Sequence, residues 1–381
     1  MRSHIKFAVP IVAAALALGA CGTTGGTTGG SGSTGDAKAA CDLKIGFFGA
    51  LTGDAANLGI NIKNGAKLAV DQYNEKNADC KVTLVDFDSE GDPAKAPALA
   101  QQAVKDSKLV GIVGPAFSGE SKAANPIFDK AGMPIITPSA TNPNLSEQGW
   151  KIFHRNLGND ASQGPAASKY IKDVLKAKKV FVIDDSSEYG KGLAEQVKKD
   201  CADICPGGDQ IQQKKTDFSA TVTKVVASQS DAVFFGGYYA EAAILVKQLR
   251  AAGWTGTMVT ADGVKDDAYI KAAGQDAEGT IITCPCLPPE KAPEFQAAFK
   301  KAYNSDPATY SAEGYDSAQA FLDAIAAGKK TPKEVNEFLK TYEKQGVTKV
   351  IKWDDKGEPA AVSVWAYKVE GGKIVPDQEI K

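Results

Sequence analysis

Histidine is almost missing from this 381-residue chain, which has only His4 and His154. His4 falls within an apolar leader, so any imidazole-based acid–base chemistry would have to use His154. His154 stands in a short, apolar-flanked, extended stretch, FHRNLG, where a structural role is expected. No nucleophile elbow, HExxH pair or Walker loop occurs. Enzymatic activity is therefore not expected. Acid–base work by paired carboxylates stays open on composition alone, with 46 Asp and Glu in the chain. An excess of positive charge is also lacking. The 44 Lys and Arg are balanced by the 46 acids for a net −2, which argues against a nucleic-acid partner. Long apolar runs are scarce. The segment from Phe7 to Leu18 is too short to cross a bilayer comfortably, and no other candidate span or fixed-period repeat is present.

What the chain does have begins at its start. Arg2 and Lys6 precede the apolar segment, and Leu18-Gly19-Ala20-Cys21 resembles a bacterial lipobox. Residues 1–21 read as a signal peptide ending in a lipidated Cys21. Residues 22–40, rich in Gly, Thr and Ser, read as a flexible tether. The expected location is outside the cytoplasm, lipid-anchored to the cell membrane or in the periplasm. Six cysteines remain, an even number that suggests disulfides in an oxidising compartment. Cys41 and Cys80 each open an apolar strand, and they pair if those strands are parallel neighbours. Cys201 and Cys205 would close a small loop at a helix end. Cys284 and Cys286 are so close that a bridge between them would be strained. Metal binding is the rival for the last four, but no His lies near them, and no metal or cofactor is expected.

The length favours two lobes. Apolar β-branched runs alternate with helical spacings, as in KIGFFG, Ile60–Asn74, Val82–Phe87, Pro97–Lys105 and Leu109–Val113. This pattern predicts parallel sheets with helical crossovers. The stretch from Gly111 to Thr141 reads as strand, loop, helix, strand and loop, with Ser118, Ser139 and Thr141 at the strands' carboxyl ends. Ligands bind there in open α/β sheets, and a helix N-terminus offers N–H groups to an anion. The same hydroxyls serve equally as helix caps. Further along, Tyr189, Tyr238 and Asp262 also fall at strand ends. Together these residues suit a zwitterion, with donors for a carboxylate, an anion for an ammonium and apolar faces between. Singly, Asp262 can be a turn residue and Tyr238 a core residue.

From about Cys41 onward the chain resembles the periplasmic leucine/isoleucine/valine-binding protein family. The resemblance rests on KIGFFGALTGDAANLG, ITPSATNP, NDASQGPAASKYI, EYGKGLAEQV, FFGGYYAEAAILVKQLRAAG, ADGV and WDDKG, in that order. It implies a type I periplasmic binding protein fold, α/β, with two Rossmann-like lobes and three hinge crossovers near Gly158, Pro285 and Trp353. The first lobe would comprise 41–157 and 285–352, the second 158–284 and 353–381. It also implies that Ser118, Ser139 and Thr141 hold the α-carboxylate and α-ammonium of an amino acid. Tyr189 and Tyr238 would close over the ligand, Asp262 would pair with the ammonium, and Leu58 and Tyr310 would wall the side chain. Asp262 stands where Glu is usual and Leu58 where an aromatic is usual, which loosens the inference to Leu, Ile or Val. The implied partners are an amino acid, an ABC-importer permease and, through the anchor, a membrane; a monomer is expected. The alternatives are the same fold holding an amide, a urea-type solute or an aromatic acid, a cleft enzyme, or a sensory ligand-binding protein.

Overall fold

The computed structural model describes residues 41–381; the expected signal peptide, Cys21 and the tether lie outside the described residues. Two sheets organise the chain. The first has strands β1 (Leu43–Gly49), β2 (Val82–Asp88), β3 (Leu109–Val113), β4 (Ile135–Thr137) and β5 (Phe153–Arg155) in the order β2-β1-β3-β4-β5. Every neighbouring pair in it is parallel. Helices α1 (Ala56–Lys76), α2 (Ala96–Ala103) and α3 (Ser118–Ala131) connect these strands.

The second sheet contains β6 (Val180–Asp184), β7 (Gly207–Gln210), β8 (Ala232–Gly236), β9 (Thr257–Ala261) and β10 (Ile281–Cys284). Its helices are α4 (Asp160–Asp173), α5 (Glu188–Asp200), α6 (Ser219–Ser228), α7 (Tyr239–Ala251) and α8 (Asp267–Ala273). The chain then returns to the first lobe with α9 (Pro293–Tyr303), α10 (Ser311–Ala326), α11 (Pro332–Leu339) and the small hairpin β11 (Lys344–Gln345) and β12 (Val350–Ile351). It ends as the antiparallel pair β13 (Val364–Glu370) and β14 (Lys373–Ile380) on the edge of the second sheet.

The strands are apolar on both faces because helices cover both. In β6, Val180 and Val182 pack with Tyr170, Leu193 and Val197 of α4 and α5. Phe181 and Ile183, pointing the other way, join the core that holds Val225 and Leu245 of α6 and α7. In the first lobe, Ile45 and Phe47 face α1 and α10, whereas Phe48 faces α2 and α3.

Past Gly158 the chain passes from β5 of the first sheet to α4 beside the second, and past Pro285 from β10 of the second sheet to α9 beside α1. Trp353 Nε1 donates to the Arg155 carbonyl at 2.7 Å, and Arg155 N donates to Gly357 O at 2.8 Å. These bonds keep 353–358 on the first lobe, so the chain leaves it over 361–363. A β-bridge between Trp353 and Pro359 draws this segment into a small hairpin, whose polar sequence does not show it.

The six cysteines form three bridges: Cys41–Cys80, which strand placement favoured, Cys201–Cys205, and Cys284–Cys286, whose closeness argued against it. The Cys41–Cys80 bridge ties β1 to β2 where Leu43 aligns with Val82. The closeness of Cys284 and Cys286 does not prevent their pairing. The loops differ in thermodynamic weight. Chain-entropy reasoning assigns about 4 kcal/mol to a 39-residue separation and below about 2 kcal/mol to a separation of 2.

Candidate functional site

Parallel strands end together, so the loops that follow them meet in one place. The first lobe contributes Ala116, Phe117 and Ser118 after β3, Ser139 after β4, Leu58 and Ile62 from α1, and Tyr310 before α10. The second contributes Tyr189 at the start of α5, Tyr238 after β8, and Asp262 and Gly263 after β9. These residues line a narrow cleft between the lobes. Seven of the eight residues expected from sequence line it: Leu58, Ser118, Ser139, Tyr189, Tyr238, Asp262 and Tyr310. Thr141 does not line it. Thr141 is fully buried, with its hydroxyl unpartnered and its carbonyl accepting from Asp160 N at 2.9 Å.

One end of the cavity is built for an anion. Ser118 is the first residue of the 14-residue α3, whose opening N–H groups and positive dipole end point there. Ser118 Oγ accepts from Asn142 N at 3.2 Å, so its own proton is free to be donated. Ser139 differs from expectation. Its hydroxyl donates to Ala116 O at 2.6 Å, so Ser139 presents lone pairs rather than a donor. Glu120, on the first turn of α3, is fully buried beneath this end. Burial pushes its carboxyl up to about 8, against the pull of bonds from Ser89 and the Phe117 N–H.

The other end is acidic. Asp262 is 3% exposed and accepts from Tyr189 Oη and Gln163 Nε2, each at 2.8 Å. Tyr189 Oη also accepts from Gly263 N at 3.2 Å, which fixes the direction of its proton toward Asp262. Burial raises Asp262 above the ordinary carboxylate range, while the bonds from Gln163 and Tyr189 pull it back. Beside it lies a second carboxylate that the sequence reading missed. Asp160, the first residue of α4, is fully buried, and neither of its oxygens has a hydrogen-bond partner. Burial, and then the charge of Asp262, push Asp160 up to about 8. Gln163 Oε1 is also buried without a partner, and the hydroxyls of Thr141 and Tyr310 stand beside Asp160 and Asp262. Buried polar atoms normally find partners. This group of orphaned acceptors and hydroxyls around two carboxylates has the chemistry to receive a cation with several N–H donors.

The wall between the two ends is apolar and aromatic. Tyr238 lies 5.2 Å from Tyr189 and 5.5 Å, edge-on, from Phe117 of the other lobe, centroid to centroid. Leu58 and Ile62 lie one turn apart on the same face of α1. Tyr310 reaches this wall because α1 and α10 approach closely. A Cβ on Gly65 would stand 1.8 Å from Ser311 O.

Bonds between the lobes surround the cavity. Asn57 Nδ2 donates to Asp266 Oδ1 at 2.9 Å, and Asn142 Nδ2 donates to Glu188 O at 2.9 Å. Lys122 pairs with Glu188 at 2.9 Å. Beneath the 140–142 loop, buried Arg155 donates to the carbonyls of Ala140 (2.6 Å) and Asn142 (3.0 Å) and pairs with Glu358 at 2.8 Å. His154 lies outside the cavity lining. It is buried on β5, its Nδ1 is 3.2 Å from Ile135 O, its ring meets Trp353, and burial lowers its pKa to about 4. Among the described residues no cluster of His, Cys, Asp and Glu suited to a metal occurs.

The comparisons with known proteins agree with this architecture. A protein of Pseudomonas aeruginosa named "Amino acid binding protein" is 35% identical over 333 residues, 84% of this chain and 88% of the relative. The Leu/Ile/Val-binding protein of Escherichia coli is 32% identical over 329 residues, 83% of this chain and 88% of the relative. A branched-chain amino acid transporter substrate binding protein from Streptococcus pneumoniae, solved with isoleucine, superposes with a TM-score of 0.81 at 30% identity, covering 88% of this chain and 100% of that one. The family model described as "Periplasmic binding protein" matches residues 42–373, and this chain belongs to that family.

Proposed function

We propose that this protein is the extracytoplasmic receptor of an ABC importer and that it captures an aliphatic amino acid, branched-chain in type, in the cleft. The observation that carries this reading is the pairing of opposite ends within one cavity. The α3 N-terminus with Ser118 faces an anion, and buried Asp262, with Asp160 behind the lining, faces a cation. An α-amino acid carries both charges on one carbon. Leu58, Ile62 and Phe117 leave apolar surface for its side chain. The names of the Pseudomonas and Escherichia relatives support the same ligand class. An aromatic acid has no ammonium to pair with buried Asp262, which weighs against it.

In this reading the first lobe takes the carboxylate. The second lobe then brings Tyr189, Tyr238 and Asp262, excluding water and strengthening the charged hydrogen bonds. The closed form docks on a permease as a monomer, held to the membrane by lipid on Cys21. A thermal-shift screen over amino acids and small organic acids tests the ligand class, because a ligand stabilises the state it binds. Leucine, isoleucine or valine should raise the melting temperature. Stabilisation by acids lacking an ammonium, and not by amino acids, would overturn the reading.

A further inference from the structure

We propose that the Cys284–Cys286 pair is a redox site that sets the stiffness of the hinge, and that a dithiol reductant is its substrate. Cys284 ends β10, paired with Trp365 of β13, and so belongs to the second sheet. Cys286 comes after the crossing residue Pro285. The disulfide therefore spans the second crossing itself. All three crossings converge there. A Cβ on Gly158 would lie 3.3 Å from Pro285 Cβ and 3.3 Å from Val362 Cβ, where Gly158 stands at the first crossing and Val362 at the third. Lobe closure is absorbed by a few such residues changing φ and ψ. A ring closed over three residues removes most of that freedom from one of the three strands of the hinge.

Two further observations separate this bridge from an ordinary staple. Its loop is too short to add much to stability, as reckoned above. And it borders a cleft, with Cys286 itself buried at 2% exposed. Cys286 lines a cleft of about 290 Å³ on the hinge side, together with Gly158, Pro285, Leu287, Lys349 and Val362. Its carbonyl and sulfur are held by Tyr367, whose hydroxyl donates to Cys286 O at 3.2 Å and lies 3.8 Å from Sγ. Both cysteines are buried, but only Cys286 lines this cleft, so the attack falls on Cys286 when the hinge opens. One thiolate of the dithiol forms a mixed disulfide with Cys286 Sγ and releases Cys284 as the thiolate. The second thiol then closes the reductant's own disulfide and releases Cys286. Two electrons pass to the pair, and the two protons of the dithiol end on the two cysteines.

The ligand consequence rests on the transport reading; the hinge consequence does not. The test is amide hydrogen exchange of the ligand-free chain, oxidised and after treatment with dithiothreitol, beside Cys284→Ser/Cys286→Ser and a chain with the other four cysteines changed to serine. Reduction should speed exchange at Cys286, Leu287 and 361–363 about tenfold. The four-serine chain should respond like the native one, and the Cys284→Ser/Cys286→Ser chain should exchange rapidly with or without reductant. Leucine should also leave the reduced protein about threefold faster or more. Equal exchange at the crossings in both redox states overturns the proposal, as does a reductant response that survives in Cys284→Ser/Cys286→Ser. Failure of leucine to bind the oxidised native chain would strike the transport reading and leave the exchange result standing.

Discussion

Tyr189 donates its hydroxyl to Asp262 while accepting from Gly263 N, so the aromatic wall and the acidic end of the cleft are one hydrogen-bonded unit within the second lobe. Asp262 is thus held in position by its own lobe, with Gln163 as its other donor. A ligand ammonium meets a carboxylate already aimed, and little side-chain ordering remains to oppose binding.

Replacing Asp262 with Asn keeps its shape and removes its charge. A charge-assisted bond contributes about 1.5–3 kcal/mol. Calorimetry should therefore show leucine affinity falling between about tenfold and about a hundredfold. Unchanged affinity would remove Asp262 from the ammonium site.

The Asp160–Asp262 pair makes a pH prediction. Folding raises Asp160 from 3.8 to about 8, so between those values the folded chain holds more protons than the unfolded one. Its contribution to ligand-free stability is therefore largest at the acid end and declines as pH rises from about 4 to about 8. Asp160→Asn should flatten that decline in urea midpoints measured against native protein. An ammonium seated beside the pair favours the ionised form, so leucine binding near neutral pH should release a proton. Calorimetry in buffers of different ionisation enthalpy reads that release, and the titration belongs to the pair rather than to either residue.

Asn57 reaches across the cleft to Asp266. Asn57→Ala removes one inter-lobe bond, about 1 kcal/mol, and should weaken leucine binding about fivefold. Stopped-flow kinetics should place the change in the dissociation rate, because encounter precedes closure.

Arg155 braces the 140–142 loop from below and is fully buried. Arg155→Met leaves two carbonyls and Glu358 without their donor. Such a change should cost about 3 kcal/mol in urea denaturation. Glu358→Gln, which keeps an acceptor at the protein's edge, should cost less.

The alternation of strands and helices is legible in this sequence because helices cover both sheet faces, so the central strands are apolar throughout. The Gly207–Gln210 strand is not legible, since GGDQ has no apolar residue and forms only as an edge beside Phe181–Asp184. Most of the cavity lining is legible because strand-end loops converge by topology. Asp160 escapes because the helical spacing is clear only from Gly164 onward, whereas α4 begins at Asp160 with Asn159 as its cap, accepting from Ala161 N at 3.0 Å. A signal was present all the same. Asp160 and Gln163 lie one turn apart, so they share a face of their helix. The proton position of Ser139 has no sequence signal, since it depends on the carbonyl of a residue 23 positions away.

The bare backbone of Gly65 carries an evolutionary consequence. A methyl group there would collide with Ser311 O and push the α10 start outward, taking Tyr310 with it. The breadth of solutes this cleft accepts is thus coupled to a position no solute ever touches. A drift in ligand preference among descendants of this chain need not begin with any residue that lines the cavity.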